Sequence, residues 1–503
     1  MAEYPEFKHG TRGKVIAEGL DFSNKGKHRQ AIVYIGTAPV HQVEGGAKNV
    51  NRPIVCGDIA EARKYLGYSD DWASYTLCEA MHVHFEMNGV GPLVFINVLD
   101  PNAHRKSQGG SATLTPDNGR VTIVSAEDAI LDTVVVKSEG ATLTRGTDYT
   151  ATYDFMKKVI NIVEKKKGSL GTSALSITWS KVDPAQVTEA NVIGATDEYG
   201  LNTGVYAIKN VYNVTGLIPA FLLAPGFSSI PSIHNALYQN SQQISKHWNA
   251  WMFVDLPILT TDGNTVSLQN APDWKNANGY NRDNESVFFP LAKGTDGKTY
   301  HLSVLNAANF QSLLVQNNGI PYMSGSNTEC GIIEDLYFSE NVTGRVYDDE
   351  IINRCLNANG INSAAYVGGR WAIWGMFAGS YDQENGTTIN VNDTCLMMLY
   401  YLTNDFQHRR NINIDKPMPI NDLKSIVAEE QTRVDALLGI GALTYGKVQL
   451  EATPQAKSDV YSGDFSILFN VTNTPLAKSL TATANWTADG FEVYFAAMDE
   501  LAG

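Results

Sequence analysis

The stretch Gly91-Pro-Leu-Val-Phe-Ile-Asn-Val-Leu99 decides the fold class of this 503-residue chain. Its apolar residues follow one another with little polar alternation, which is typical of a strand buried on both faces of a sheet. Buried-type strands also lie upstream at 31–36 and 53–56, and helical patterns fill the interval at 58–66 and 72–87. Two strands, two helices and a third strand in this order indicate an α/β unit.

The same pattern resumes in the second half of the chain. Residues 220–257 are predicted to form a strand, a helix and a strand, and the alternation continues up to a helix that stops at Gly360. We therefore expect residues 30–103 and 188–358 to form one discontinuous α/β domain.

Residues 104–187 have a different character. They contain five or more short strand-like runs and no helical pattern, and turn signals such as Glu139-Gly140 and Lys167-Gly168 separate the runs. Strands at this spacing predict a small β-sandwich or barrel. We expect this segment to be inserted into the α/β domain.

The last quarter of the chain combines aromatic, helical and strand patterns. Trp371 and Trp374 lie in an apolar run and are predicted to be core residues. An amphipathic helix follows at 420–438, and its apolar positions are Leu423, Ile426, Val427, Val434 and Leu437. Beyond it, the sequence predicts two strands, at 460–471 and 476–486, paired through the turn Thr472-Asn-Thr-Pro475, and then a terminal strand, Phe491-Glu-Val-Tyr-Phe495.

Composition excludes several classes of protein. The formal net charge of -15 argues against a nucleic-acid coat, which needs clustered Lys and Arg. No apolar run is long enough to predict a membrane span, and the first residues lack the apolar core of a signal peptide, so we expect a chain that is made and kept in the cytoplasm. The five cysteines are far apart and odd in number, which favours buried thiols over disulfides or zinc.

Catalytic patterns are weak throughout. His82 and His84 fall on a predicted helix at a spacing that turns them away from each other. Gly439-Ile-Gly441 follows a helix and is explained as a helix stop. Acid pairs such as Glu429-Glu430 are expected on solvated faces. We expect no enzyme activity, no catalytic residue, no metal and no cofactor.

Several segments, in their order along the chain, resemble contractile tail sheath proteins. They are the early Val33-Tyr-Ile-Gly-Thr-Ala-Pro39 strand and the 91–99 strand, the strand, Ala224-Pro-Gly226 turn, helix and Asp255-Leu-Pro257 strand, and the C-terminal order of Trp-Gly segment, helix, ribbon and strand. The likeness covers 31–100 and 188–503 and leaves out the β-insert. Such proteins form the outer sleeve of contractile bacteriophage tails, R-type bacteriocins and contractile injection systems.

The resemblance implies a structural subunit that polymerises helically around an inner tube and contracts to drive the tube through the bacterial envelope. It implies other copies of itself in stacked rings, the inner tail tube protein, and baseplate and tail terminator proteins as partners, without direct nucleic-acid binding or membrane insertion. The expected location is the virion, after assembly in the host cytoplasm. The fold class expected is a multidomain α/β (α+β) protein: a discontinuous α/β core, an outward-facing β-insert at 104–187, and a C-terminal α+β domain with exchanged terminal strands.

The resemblance also implies linking arms. Residues 1–29 would be an N-terminal arm, 359–487 an inner C-terminal domain and 488–503 a C-terminal arm, each arm adding a strand to a neighbour's sheet. A mildly basic beginning and an acidic end of the chain suit such joining. The arm strands predicted are Lys14, Val15, Ile16 and Ala17, and Phe491, Glu492, Val493, Tyr494 and Phe495; the candidates for facing the tube are Lys424, Glu429, Glu430 and Arg433.

Two alternatives stay open. A type VI-like secretion sheath shares the core, but that sheath is split between two chains, whereas this chain is continuous. A multidomain carbohydrate-binding or hydrolytic protein belongs to a different class and would need a cleft with two close carboxylates.

Overall fold

The computed structural model describes residues 29–260, 262–338, 348–384 and 389–503. The predicted arm strand Lys14–Ala17 lies outside the described residues. The chain divides into two compact units, Met1–Glu430 and Gln431–Gly503. None of the described helices is long and apolar enough to cross a membrane.

The larger unit contains eighteen of the described strands. In chain order they are β1 (Gln30–Gly36), β2 (Ile54–Cys56), β3 (Leu93–Asn97), β4 (Gly110–Leu114), β5 (Arg120–Ile123), β6 (Val135–Ser138), β7 (Ala141–Thr142), β8 (Tyr149–Asp154), β9 (Val159–Glu164), β10 (Leu175–Trp179), β11 (Ile218–Leu223), β12 (Trp251–Asp255), β13 (Glu285–Phe288), β14 (Leu291–Gly294), β15 (Thr299–His301), β16 (Ile333–Tyr337), β17 (Ile361–Val367) and β18 (Arg370–Trp374).

Helices cover and connect these strands. They are α1 (Ile59–Leu66), α2 (Leu77–Met81), which continues as a π-helix (His82–Met87), α3 (Glu189–Ile193), α4 (Val211–Thr215), α5 (Pro231–Gln239), α6 (Ala271–Ala277), α7 (Leu302–Gln316), α8 (Asp349–Cys355), α9 (Asp393–Arg410) and α10 (Ile420–Gly439). The last helix begins in the larger unit and ends in the smaller one.

An eight-stranded sheet forms the core of the larger unit. Its order is β18-β17-β13-β12-β11-β1-β3-β2. The six central strands are parallel, and β2 and β18 join antiparallel at the two edges. Every residue of β1, β3, β11, β12 and β13 is buried, as an apolar strand covered on both faces requires. The predicted α/β fold class is confirmed.

The sheet corrects the domain boundary predicted between residues 358 and 359. β17 pairs with β13 in parallel, and β18 pairs with β17 antiparallel. Residues beyond 358 therefore complete the sheet of the α/β domain. The reason is that β17 is buried beside β13, so its backbone groups find their partners in this sheet.

The insert folds around a core of its own. Its strands form two sheets, β4-β10-β6-β7 and β5-β9-β8. The buried residues between them are separate from those of the main core and include Val121, Val136, Ile160 and Ile177. Where the segment enters and leaves the body, the amide of Lys106 donates to the carbonyl of Lys181 and the amide of Asp183 to the carbonyl of His104. Its two ends thus lie side by side, as an inserted segment requires.

The smaller unit holds an antiparallel ribbon, β19 (Leu443–Leu450) and β20 (Ile467–Asn473), with α11 (Pro454–Asp459) between the strands and α12 (Glu492–Ala502) at the end. The predicted pairing of 460–471 with 476–486 is wrong. β20 pairs with β19 instead, and residues 476–486 lie outside any strand.

The terminal strand predicted at Phe491–Phe495 is also wrong for this chain by itself. Phe491 ends a 3-10 turn, and Glu492, Val493, Tyr494 and Phe495 open α12. The helix formers that follow, Ala496-Ala-Met-Asp-Glu-Leu501, favour a helix where no neighbouring strand is present.

Candidate functional site

The ribbon of β19 and β20 is the sheet of the smaller unit. Its pairing runs from Leu443 opposite Asn473 to Leu450 opposite Ile467. Within the described part of the chain, the sheet has only these two strands. Each strand thus has an outer edge of backbone donors and acceptors, which is a template for strand addition.

The smaller unit carries exposed apolar side chains on this ribbon and in the residues that follow it. Tyr445 on β19 and Leu468 on β20 are exposed, and Trp486, in the segment that follows, is 82% exposed. In α12 the exposed large residues are Val493, Tyr494, Phe495, Met498 and Leu501. So many exposed apolar residues in one unit indicate an interaction surface.

One face of the ribbon packs on the end of α10. Gln431 accepts a hydrogen bond from the amide of Val448 (2.7 Å) and donates one to the carbonyl of Gly446 (3.3 Å). Gly446 also leaves room for Val434, because a Cβ there would lie 2.1 Å from its Cγ1. Within the smaller unit, the end of α10 therefore supports the ribbon.

The predicted tube-facing residues separate into two groups. Lys424 and Arg433 are exposed on α10, and the Glu429 side chain is 62% exposed and bonded to Arg410 (2.8 Å). Glu430 is 1% exposed. Its carboxylate accepts from Arg409 and from Arg410 at the end of α9.

Glu430 is therefore not a surface residue, and the expectation that the Glu429-Glu430 pair lies on a solvated face is wrong for it. The physical reason is helical geometry, because Glu430 lies four residues from Ile426 and four from Val434, on the apolar stripe that packs inward. A buried carboxylate needs opposite charge, and the two arginines supply it. The sequence signal for this buried ion pair is a charged residue at a position of the apolar stripe.

Trp371 and Trp374 are only half-buried, at the sheet edge on β18. Trp371 packs edge-on against Tyr366, and the Nε1 of Trp374 donates to Asn353 (2.9 Å). Both tryptophans contact the main hydrophobic cluster, as core residues do, but neither is fully buried. The reason is that β18 is an edge strand and a tryptophan is too large to be covered there.

Three buried carboxylates accept hydrogen bonds from side chains of the core. Glu285 accepts from His234 (2.5 Å), Glu79 from His301 (2.6 Å) and Asp255 from Ser303 (2.5 Å). Burial raises the pKa of the Cys78 and Cys330 thiols to about 12, so these are not nucleophiles at neutral pH.

The two candidate ligand histidines are not brought together. His82 contacts Glu86, whereas His84 contacts Tyr34 and Gln311 in the core. No group of side chains able to hold a metal ion occurs among the described residues.

A surface hollow of about 580 Å³ lies beside the base of the insert. Its lining is mainly basic and polar, with Arg105, Lys106 and Lys181 and a single carboxylate, Asp183. A glycoside hydrolase needs two carboxylates across its cleft, so this hollow does not provide that site.

Comparison with known proteins agrees with the sheath resemblance. No family model matches the chain. The chain is 25% identical over 474 residues to the tail sheath protein of Burkholderia phage BcepMu, and the alignment covers 91% of this chain and 92% of that protein.

Solved structures share the fold. The helical sheath of the anti-feeding prophage in its contracted state gives a TM-score of 0.53 at 11% identity, covering 95% of this chain and 100% of that one. The contracted sheath complex of the extracellular contractile injection system PVC gives 0.53 at 10% identity, covering 96% and 100%. Over almost its whole length this chain is therefore similar in sequence to a tail sheath protein, and its fold is similar to that of contractile sheaths.

Proposed function

We propose that the protein is the structural subunit of a contractile tail sheath, which polymerises around an inner tube and contracts to drive that tube through a bacterial envelope. The observation that carries the proposal is the alignment with a tail sheath protein over 91% of the chain. The exposed ribbon supports it, because a sheath needs surfaces that join each subunit to its neighbours.

The ribbon would be the joining surface. Strands added to the edges of β19 and β20 by neighbouring copies would bring many backbone hydrogen bonds at once. They would also cover the exposed Tyr445 and Leu468. Because each copy both gives and receives strands, the contact is head-to-tail and generates an open helical polymer.

The C-terminal segment 488–503 would be one of the added pieces. An 11-residue helix without packing partners is marginal in water, so α12 would unwind at small cost. As a strand, Phe491–Phe495 would bury Val493 or Tyr494 against the neighbour. The acidic residues of this segment, Asp489, Glu492, Asp499 and Glu500, would complement the basic N-terminal residues 1–29, which contain the proposed strand Lys14–Ala17.

The proposed contact with the inner tube is weak and polar. Lys424, Glu429 and Arg433 offer exposed charges on α10. Exposed ion pairs contribute about 0–1 kcal/mol each and are screened by salt. A contact of this kind would let the sleeve move over the tube during contraction. Baseplate and terminator proteins would bind the two ends of the polymer, which we propose is assembled in the host cytoplasm and carried in the particle's tail.

Deleting residues 488–503 tests the joining role. We expect the shortened protein to keep its circular dichroism spectrum and melting temperature, because these residues are exposed throughout. We also expect it to remain monomeric in sedimentation velocity under conditions in which the full chain polymerises. Met156→Ala, at an exposed residue of the insert, is the control and should polymerise normally. Polymers of the shortened chain equal in length and yield to those of the full chain would contradict the proposal.

A further inference from the structure

The end of α9 is fastened to the body of the larger unit by polar contacts. The Asn404 side chain exchanges hydrogen bonds with the backbone of Asn249 (2.8 and 3.0 Å). Gln407 donates to the carbonyl of His247 (2.8 Å), and His408 contacts the hydroxyl of Tyr212 (2.9 Å). The last turn of α9 is therefore a fixed platform.

That platform presents two arginines to α10. The Nη2 of Arg409 donates to Glu430 Oε2 (2.8 Å), and its Nη1 donates to Oε1. Arg410 donates to Oε1 through Nε (2.9 Å) and Nη2 (2.6 Å). Arg409 is oriented in turn by Asp405 (2.8 Å). The carboxylate of Glu430 thus accepts four charge-assisted bonds.

The position of Glu430 makes this cluster selective for one arrangement. Leu423, Ile426 and Val434 occupy the same buried stripe of α10. If α10 moved along α9 by a turn, an apolar residue would meet the two arginines and Glu430 would be buried without a cation. A buried charge that loses its partner is strongly unfavourable, whereas a shifted apolar contact alone is tolerated.

We infer that Arg409, Arg410 and Glu430 form a two-state latch, called here the arginine latch, which holds the first half of α10 in a single register on α9. The contact between α9 and α10 is either closed, with Glu430 bonded to both arginines, or open, with the Glu430 carboxylate hydrated. Opening would release the connecting loop 411–419 and α10 together. The latch is a property of the subunit's fold and does not rest on the proposed function.

Hydrogen exchange of the full-length protein, followed by mass spectrometry at a concentration where it is monomeric, tests the latch. The variant is Glu430→Gln, which keeps the side-chain size and removes the charge. The control is Glu429→Gln, which removes an exposed charge that contacts Arg410 alone. A peptide covering Trp251–Asp255, buried in the main sheet, reports global opening.

We expect exchange in residues 411–430 to be at least about tenfold faster in Glu430→Gln, less than about threefold faster in Glu429→Gln, and unchanged in the reference peptide. Equal effects of the two substitutions, or parallel acceleration of the reference peptide, would overturn the latch. If Glu430→Gln does not fold, Arg410→Gln replaces it, since the pair of bonds from Arg409 remains. We then expect exchange in residues 411–430 to be faster by between about threefold and about tenfold. Unchanged exchange in these residues would overturn the inference.

Discussion

At the residue scale, three buried glutamates are each paired with a basic or imidazole side chain. Glu79, Glu285 and Glu430 are each almost fully buried, and each is held by a cationic or imidazole side chain from a distant part of the sequence. Such pairs contribute little net stability when compared with well-packed apolar residues, yet they penalise any arrangement that separates them. They therefore select one packing of the surrounding elements.

The pair of His301 with Glu79 predicts a pH dependence of stability. Burial lowers the pKa of His301, but the charge and hydrogen bond of Glu79 outweigh this and raise the pKa to about 9. Because the folded pKa is above the unfolded value of about 6.5, the stabilisation is fully present below that pH and is lost as pH rises towards 9. The difference in unfolding free energy between wild type and His301→Gln should shrink by on the order of 2 kcal/mol between pH 6 and pH 9.5.

Urea unfolding at fixed ionic strength across this pH range measures the effect. His247→Gln, at an exposed histidine, is the matched control and should follow the wild-type curve. A wild-type curve parallel to that of His301→Gln at every pH would show that the pair contributes no linkage.

The residue scale also shows a limit of prediction. The apolar positions Leu423, Ile426, Val434 and Leu437 follow from helical periodicity, and the structure buries all four. Glu430 shares their stripe, but the sequence predicts it on the surface because carboxylates are usually hydrated. Its partners Arg409 and Arg410 are twenty residues away, and periodicity within one helix contains no information about a second helix.

At the scale of elements, β19 packs closely against the end of α10 because Gly446 has no side chain. In Gly446→Ala the new Cβ would lie 2.1 Å from Val434 Cγ1, so strand and helix must separate. Overpacking of this kind costs about 1–3 kcal/mol. We expect faster hydrogen exchange in β19 and in residues 431–439, which belong to the same smaller unit. The melting transition of this unit should also shift to a lower temperature.

Gly439→Ala is the control for this substitution. Nothing lies within 4 Å of a Cβ at Gly439, at the end of α10, so the change should be neutral or stabilise by up to about 1 kcal/mol. If both alanine variants behave alike, close packing at Gly446 is not important for the smaller unit.

Elements with buried partners were predicted well, and exposed elements were not. The strands at 31–36, 91–99 and 251–257 follow from continuous apolar runs that only a covered sheet can hold. Helix α7 is apolar on nearly every side and shows little amphipathic contrast, so periodicity does not reveal it. The pairing predicted for 460–471 is wrong because alternation identifies a strand and leaves open which strand it pairs with.

In the terminal run Phe491–Phe495, local and non-local interactions also favour different structures. Its alternation fits a strand, and the residues after it fit a helix. In a single subunit the local preference decides, and α12 forms. In a polymer, a neighbour's sheet edge would add hydrogen bonds that the chain alone lacks, and we propose that the strand then prevails.

At the scale of the whole molecule, the larger unit joins its insert to the body through more than the two connecting strands. The amide of Gly45 donates to Asp132 (2.8 Å), and the buried His41 contacts the carbonyl of Glu127 (2.8 Å). Arg145 reaches Glu44 (3.5 Å). These contacts indicate an insert with a fixed orientation on the body, which suits a spacer or a display surface.

The smaller unit shows the opposite pattern. Its last thirty residues are almost entirely exposed, with Leu480, Trp486 and Leu501 among them. A soluble monomer gains nothing from such a surface, whereas a polymer subunit covers it at each contact with a neighbour. This difference between a well-buried body and an exposed end is the structural basis of the sheath proposal.

Negative-stain electron microscopy of the purified full-length protein tests the central claim most directly. At neutral pH and high protein concentration, we expect long hollow tubes with a regular transverse striation, because head-to-tail strand exchange would build a helical polymer with a regular repeat. Scattered monomers at every salt and protein concentration tried would contradict the claim that this chain assembles itself into a sheath.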